Sequence, residues 1–170
     1  PKFAQAVLVS ATVGLFLIPV VVWLAERIGR RVPKGELPAL LNEAMEPAGN
    51  RVLIVGYRRV GRLLGRMLRR HEVAYMAAYY DARLVSERRA AGDEIWYGDA
   101  GRPEFLKYCG IDTVPAVVVT MDAPGKVEEV VRAARALRPD MTIVARARDS
   151  RHAAKLYALG VTDAVPETTE

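Results

Sequence analysis

The residues best placed to do chemistry sit in one glycine turn: Gly56, Tyr57, Arg58, Arg59, Val60 and Gly61, directly after the apolar run Val52, Leu53, Ile54, Val55. Gly56 and Gly61 occupy the first and third glycine positions of a G-x-G-x-x-G pattern. The chemistry of such a turn is anion binding, because it aims the N-terminus of the following helix at whatever negative group lies in the crevice. Arg58 holds the middle position, where a glycine lets backbone approach a pyrophosphate. An arginine there fills that space or offers its own charge. The other polar residues that the spacing brings to strand ends are Asp81, Asp99, Asp122, Arg146, Arg148 and Asp149. None is a nucleophile with a base beside it, and no two acids stand at a defined spacing, so the set points to binding rather than to catalysis.

Several of these positions have two readings. Asp81 either accepts ribose hydroxyls, as an acid about 20 residues past the glycines would, or caps the next helix. Arg83 receives a 2′-phosphate or is a solvated helix residue. Asp99, with Ala100 after it, reads as a turn residue near the adenosine half of a ligand. Tyr57 and Tyr97 either stack on a base or pack in the core.

Composition narrows the classes. The chain has 170 residues, 51% of them hydrophobic, which suits one domain of ordinary size and a smaller element. The lone Cys109 excludes an internal disulfide and a thiolate zinc cluster, and fits a reducing compartment. Two distant histidines, His71 and His152, make no metal site. The net charge of +5 comes from 25 basic residues against 20 acidic ones. The arginines are spread along the chain without an aromatic-rich basic motif, so nucleic acid is not the expected partner.

The elements that must position the turn follow from periodicity. The run into Gly56 is a buried strand, and Val60, Leu63, Leu64, Met67 and Leu68 form a helical stripe after it. Further strands are expected over residues 73–79, 94–97, 115–120, 141–145 and from 163. Helices are expected over 84–91 and 103–108, then one capped by Asp122, with Val127, Val130, Val131, Ala134 and Leu137 on its inner face, and one capped by Asp149 or Ser150. Such alternation requires crossovers and a parallel sheet covered on both faces. The expected fold is therefore α/β, a Rossmann-like, doubly wound, six-stranded parallel sheet over residues 50–170.

A different solvent is implied upstream. Residues 3–25 carry no charge over 23 positions. A helix of that length is roughly 34 Å long, enough to span the hydrocarbon core of a bilayer. Residues 1–28 are the expected transmembrane helix, in which Gly14 and Pro19 imply neighbouring helices. Arg27, Arg30, Arg31 and Lys34 follow it, against Lys2 before it, so residues 29–170 are expected in the cytoplasm. Residues 29–49, with Pro33, Gly35, Pro38, Pro47 and Gly49, read as a linker. Opening on Pro1 is what a fragment of a longer protein would show.

In this order the apolar segment, the linker, the glycine turn, Tyr97-Gly98-Asp99-Ala100, the stretch from Ala145 to His152, and Pro166 to Glu170 resemble the Kef-type potassium/proton antiporters of the monovalent cation:proton antiporter-2 family. The resemblance implies that residues 50–170 are the regulatory domain known as RCK, KTN or TrkA-N, which gates potassium efflux through an inner-membrane, multi-pass exchanger. It implies NAD(H) or AMP as nucleotide ligand, held by residues 56–61 with Asp81, Asp99, Ala100 and Asp122. It implies a glutathione-type ligand on Arg59, Arg146 and Arg148, although Arg146 and Arg148 equally suit pairing with Asp99 or Asp122. It further implies a homodimer in the full-length protein, an upstream membrane bundle as partner, no metal and no enzymatic turnover. Two positions depart from the family pattern: Arg58 replaces the middle glycine, and Tyr79 falls where the acid after strand two is usual. The same domain on a gated potassium channel, which needs a selectivity filter upstream, is the alternative. A tethered NAD(P) oxidoreductase, which needs a catalytic domain, is another.

Overall fold

The computed structural model describes residues 49–167. The expected membrane helix and almost all of the expected linker lie outside the described residues, as do residues 168–170. Among the described residues no helix is long and apolar enough to cross a membrane.

β1 (Val52–Val55) is the middle of the molecule. Leu53 and Val55 point into one core, made with the helices on one face, and Ile54 points into a second core on the other. This alternation is the two-residue period of a strand. A strand apolar on both sides needs cover on both sides, and burying Leu53 and Ile54 contributes about 2 kcal/mol each. α1 (Arg59–Arg70), β2 (Tyr75–Tyr79), α2 (Ala82–Ala90) and β3 (Ile95–Tyr97) extend the fold one way. α3 (Pro103–Tyr108) then leads back to β4 (Ala116–Val119), α4 (Pro124–Leu137), β5 (Thr142–Ala147), α5 (Ser150–Ala158) and β6 (Asp163–Pro166).

All six strands are parallel in the order β3-β2-β1-β4-β5-β6, with Val55 level with both Ala78 and Val119. The winding direction reverses between β1 and β4. In an open α/β sheet that reversal leaves a crevice beyond the strand ends. α1 and α2 pack on the Ile54 face, while α3, α4 and α5 pack on the Leu53 face.

The expected elements are present, with shifted edges. β2 starts at Tyr75 rather than residue 73, because the Val73 N–H donates to the Leu68 carbonyl at 2.9 Å and closes α1, with Glu72 at φ 58° between them. α2 starts at Ala82, since Asp81 accepts from the N–H groups of Arg83 and Leu84 at 3.0 and 3.2 Å. β5 runs on to Ala147 because β6 offers it Pro166 as a partner. The expected Asp122 cap is corrected. α4 is entered through Ala123 with Pro124 at its first position, and its N-cap makes no side-chain hydrogen bond. The α1 stripe also divides. Leu64 and Leu68 pack on the sheet, but Leu63 and Met67 remain 50% and 53% exposed. α1 lies over β1 and β2, so these two side chains overhang the neighbouring strands instead, walling a groove of about 510 Å³ floored by Val118, Val144 and Val165.

Candidate functional site

The site begins where β1 turns. Gly56 has φ 95°, a conformation that favours glycine, and a Cβ there would stand 2.8 Å from Met121 Cγ. Gly61 permits the closest approach in the turn: a Cβ would lie 2.0 Å from the Gly56 carbonyl oxygen. Thr120, at the end of β4, fastens the arrangement, its hydroxyl donating to the Gly56 carbonyl at 2.5 Å. The glycines therefore seat the start of α1 against the sheet.

That start is electrostatically unusual. α1 has no side-chain cap at its N-terminus and no acid in its first turn. It carries Arg58 and Arg59 instead, both exposed, and among the described residues no ion pair holds either one. Cations at the positive end of a helix are unfavourable by a few tenths of a kcal/mol or more each, so a bound anion relieves them.

Two adjoining crevices open here. One, of about 210 Å³, is bounded by Gly56, Arg58, Tyr79, Tyr80, Thr120, Met121, Asp122 and Ala123. The other, of about 300 Å³, is bounded by Arg58, Arg59, Val60, Thr120, Asp122 and Arg146. Arg58, Thr120 and Asp122 belong to both. Arg146 is 15% exposed and clamped between two carboxylates, Asp122 and Glu167, the latter at 2.6 Å. Of the two uses open to Arg146, the structure shows it paired with Asp122.

The remaining expected positions fall elsewhere. Tyr57 is corrected as a base-stacking ring, because it is buried at 2% exposure with its hydroxyl 3.0 Å from that of Tyr75. Arg69 donates to Tyr75 at 2.8 Å and to Asp93 at 2.9 Å, completing a structural chain beneath α1. Asp81 is a helix cap. Asp99 folds its own turn by accepting from Gly101 N–H at 3.0 Å, and Ala100 is buried in the core. Arg148 points to Asp149 at 3.1 Å and lines neither crevice. Among the described residues no cluster of His, Cys, Asp or Glu could hold a metal ion.

Thr120, Met121, Tyr80 and Glu167 join the site although the sequence assigns them no ligand role; the first three do fall at strand ends, where ligands collect. Thr120 and Met121 follow an apolar strand, and a hydroxyl in that place is the signal that could have marked Thr120. Glu167 reaches the site only through tertiary placement.

A putative K(+) efflux antiporter KefB from Alkalimonas amylolytica is 29% identical over 168 residues, which is 97% of this chain and 25% of that protein. The chain thus spans about a quarter of the length of that curated relative. The TrkA-N domain of inner membrane protein ybaL from Escherichia coli is similar at 28% identity with TM-score 0.66, over 70% of this chain and 88% of that one. The Kef C-terminal domain of Shewanella denitrificans, solved in an AMP-bound form, is 34% identical with TM-score 0.58, over 70% of this chain and 72% of that one. The model of the TrkA-N domain matches residues 52–167, from the first residue of β1 to the last described residue, and the chain belongs to the TrkA-N domain family.

Proposed function

We propose that this domain is the ligand-reading, regulatory part of a monovalent cation:proton antiporter that releases potassium, working beside a membrane bundle in the inner membrane. The observation that carries the reading is the pair of guanidinium groups, without an ion pair among the described residues, at the uncapped start of α1, facing crevices at the sheet's switch point. Such a place binds small anions and offers no group to transform them. The AMP-bound Kef domain supports a nucleotide as the ligand. Its phosphate would meet Arg58 and the α1 N-terminus that Gly56 and Gly61 seat against the sheet, and Arg59 and Arg146 suit the carboxylates of a glutathione-type ligand.

Regulation then follows from differential binding. A ligand that fits one arrangement of paired domains better than another shifts their populations, and the linker passes the shift to the bundle. Calorimetry on the full chain with AMP, NADH and glutathione tests the first step. Binding of at least one at about 1 mM or tighter is expected, a level of about −4 kcal/mol. No binding at that level to any of the three overturns the sensor reading. Potassium efflux from vesicles holding the full-length protein, with and without the ligand found, tests the second step.

A further inference from the structure

We propose that Arg58 makes the crevice selective for a ribose bearing a phosphomonoester at its 2′ position over a ribose with a free diol, an inference that rests on the nucleotide reading above. A ribose diol donates its hydroxyl protons and is best read by a carboxylate with free lone pairs. The end of β2 supplies none. Tyr79 stands there, 6% exposed, with its ring 4.7 Å from that of Tyr80. Burial and then the hydrogen bond with Tyr80 push its phenol up to about 12, so it stays neutral. Asp81, the next acid along the chain, caps α2 through its Oδ1 and does not bound the crevice. Asp122, on the opposite wall, has its Oδ1 engaged by Arg146, which offsets its charge.

What the crevice does hold is a guanidinium. Arg58 bounds the same space as Tyr79 and Tyr80, continues into the neighbouring space with Arg59, and has no ion pair among the described residues. A phosphate needs several donors in a fork, and a guanidinium supplies them. The two departures at positions 58 and 79 therefore act together. Where a diol reader would place a negative charge beside a bare backbone, this chain places a neutral phenol beside a positive charge.

The test is calorimetry on the full chain in detergent at low salt, using AMP, adenosine 2′,5′-bisphosphate and adenosine 5′-diphosphate. The 2′,5′-bisphosphate should bind about tenfold tighter than AMP, the gain of one charge-assisted contact. The 5′-diphosphate controls for added charge in another position and should not match it. Arg58→Gly should bring AMP and the 2′,5′-bisphosphate to within about twofold, while Arg58→Lys keeps part of the preference as a point charge. AMP binding with no advantage for the 2′,5′-bisphosphate overturns the proposal and leaves the nucleotide reading intact. An equal gain from the 5′-diphosphate, or a preference that survives in Arg58→Gly, overturns the role of Arg58. Failure of all three ligands to bind overturns both.

Discussion

Replacing Gly61 with alanine measures how tightly α1 is seated on the turn. The new methyl would lie 2.0 Å from the Gly56 carbonyl oxygen and 2.9 Å from Thr120 Oγ1. A carbon and an oxygen in contact sit about 3.3 Å apart, so α1 must retreat by roughly 1.3 Å. Neither obstacle is the loose end of a long side chain. The carbonyl is backbone, and the hydroxyl is already bound to it at 2.5 Å. The retreat loosens Leu64 and Leu68 against the sheet, an overpacking cost of about 1–3 kcal/mol, and breaks the Thr120 bond, about 1 kcal/mol more. Alanine recovers up to about 1 kcal/mol as the better helix former. The net loss is about 1–3 kcal/mol, or roughly 5–12 °C in thermal midpoint for a domain near this size. Circular dichroism melts of the full chain read it, with Gly125→Ala as control. A Cβ at Gly125 meets nothing within 4 Å, so that variant should melt at or slightly above the wild-type temperature. If Gly61→Ala stays within about 0.5 kcal/mol of wild type, the close seating of α1 is refuted.

Four further outcomes are expected. Arg146→Met strands Asp122 and Glu167 in a partly solvated setting and should lower stability by about 1–2 kcal/mol in urea titrations; no change would mean that the clamp contributes nothing. Hydrogen bonding from Lys155, 2.8 Å away, holds the Glu128 carboxyl below the usual carboxylate range. Its folded value is the lowered one, so its contribution is complete above the ordinary carboxylate value and is lost as pH falls through the folded value. Glu128→Gln should therefore flatten the acid limb of the stability profile, and an unaltered limb would exclude Glu128 as its source. Burial pushes the Cys109 thiol up to about 12, so iodoacetamide at pH 8 should label it only after unfolding; native labelling at the rate of a free thiol contradicts that burial. Tyr57→Phe removes a hydroxyl whose partner Tyr75 keeps its bond from Arg69, so the loss should be about 0.5–1.5 kcal/mol in the same melts.

Much of the fold was legible because local and long-range signals agree. The Val52 to Val55 run, the apolar face of α4 and the cap at Asp149, which accepts from His152 N–H at 2.8 Å, all act over a few residues of chain. The failures have longer reach. Asp122 stands where a cap belongs, but Arg146 lies 24 residues away and takes its carboxylate, a competition that no local pattern reveals. Tyr57 belongs to the glycine turn by sequence, yet it swings beneath α1 because Tyr75 offers its hydroxyl a partner. Leu63 and Met67 share a helical period with Leu64 and Leu68, but which of them meets the sheet depends on where α1 crosses it. The glycines and Arg58 mark the crevice from sequence alone. Its two walls, Tyr80 on one side and Thr120 with Met121 on the other, come from strands that are neighbours only in space.

The clamp on Arg146 ties ligand chemistry to the path of the chain. Glu167, one of its two jaws, directly follows β6 and donates its backbone N–H to the Ala147 carbonyl at 3.0 Å. An incoming anion that takes the Arg146 Nη2 group competes with the Glu167 carboxylate, and one that takes Nη1 competes with Asp122. Thermodynamic reciprocity makes the relation run both ways: any pull that draws Glu167 aside raises anion affinity by the same factor by which the anion favours release.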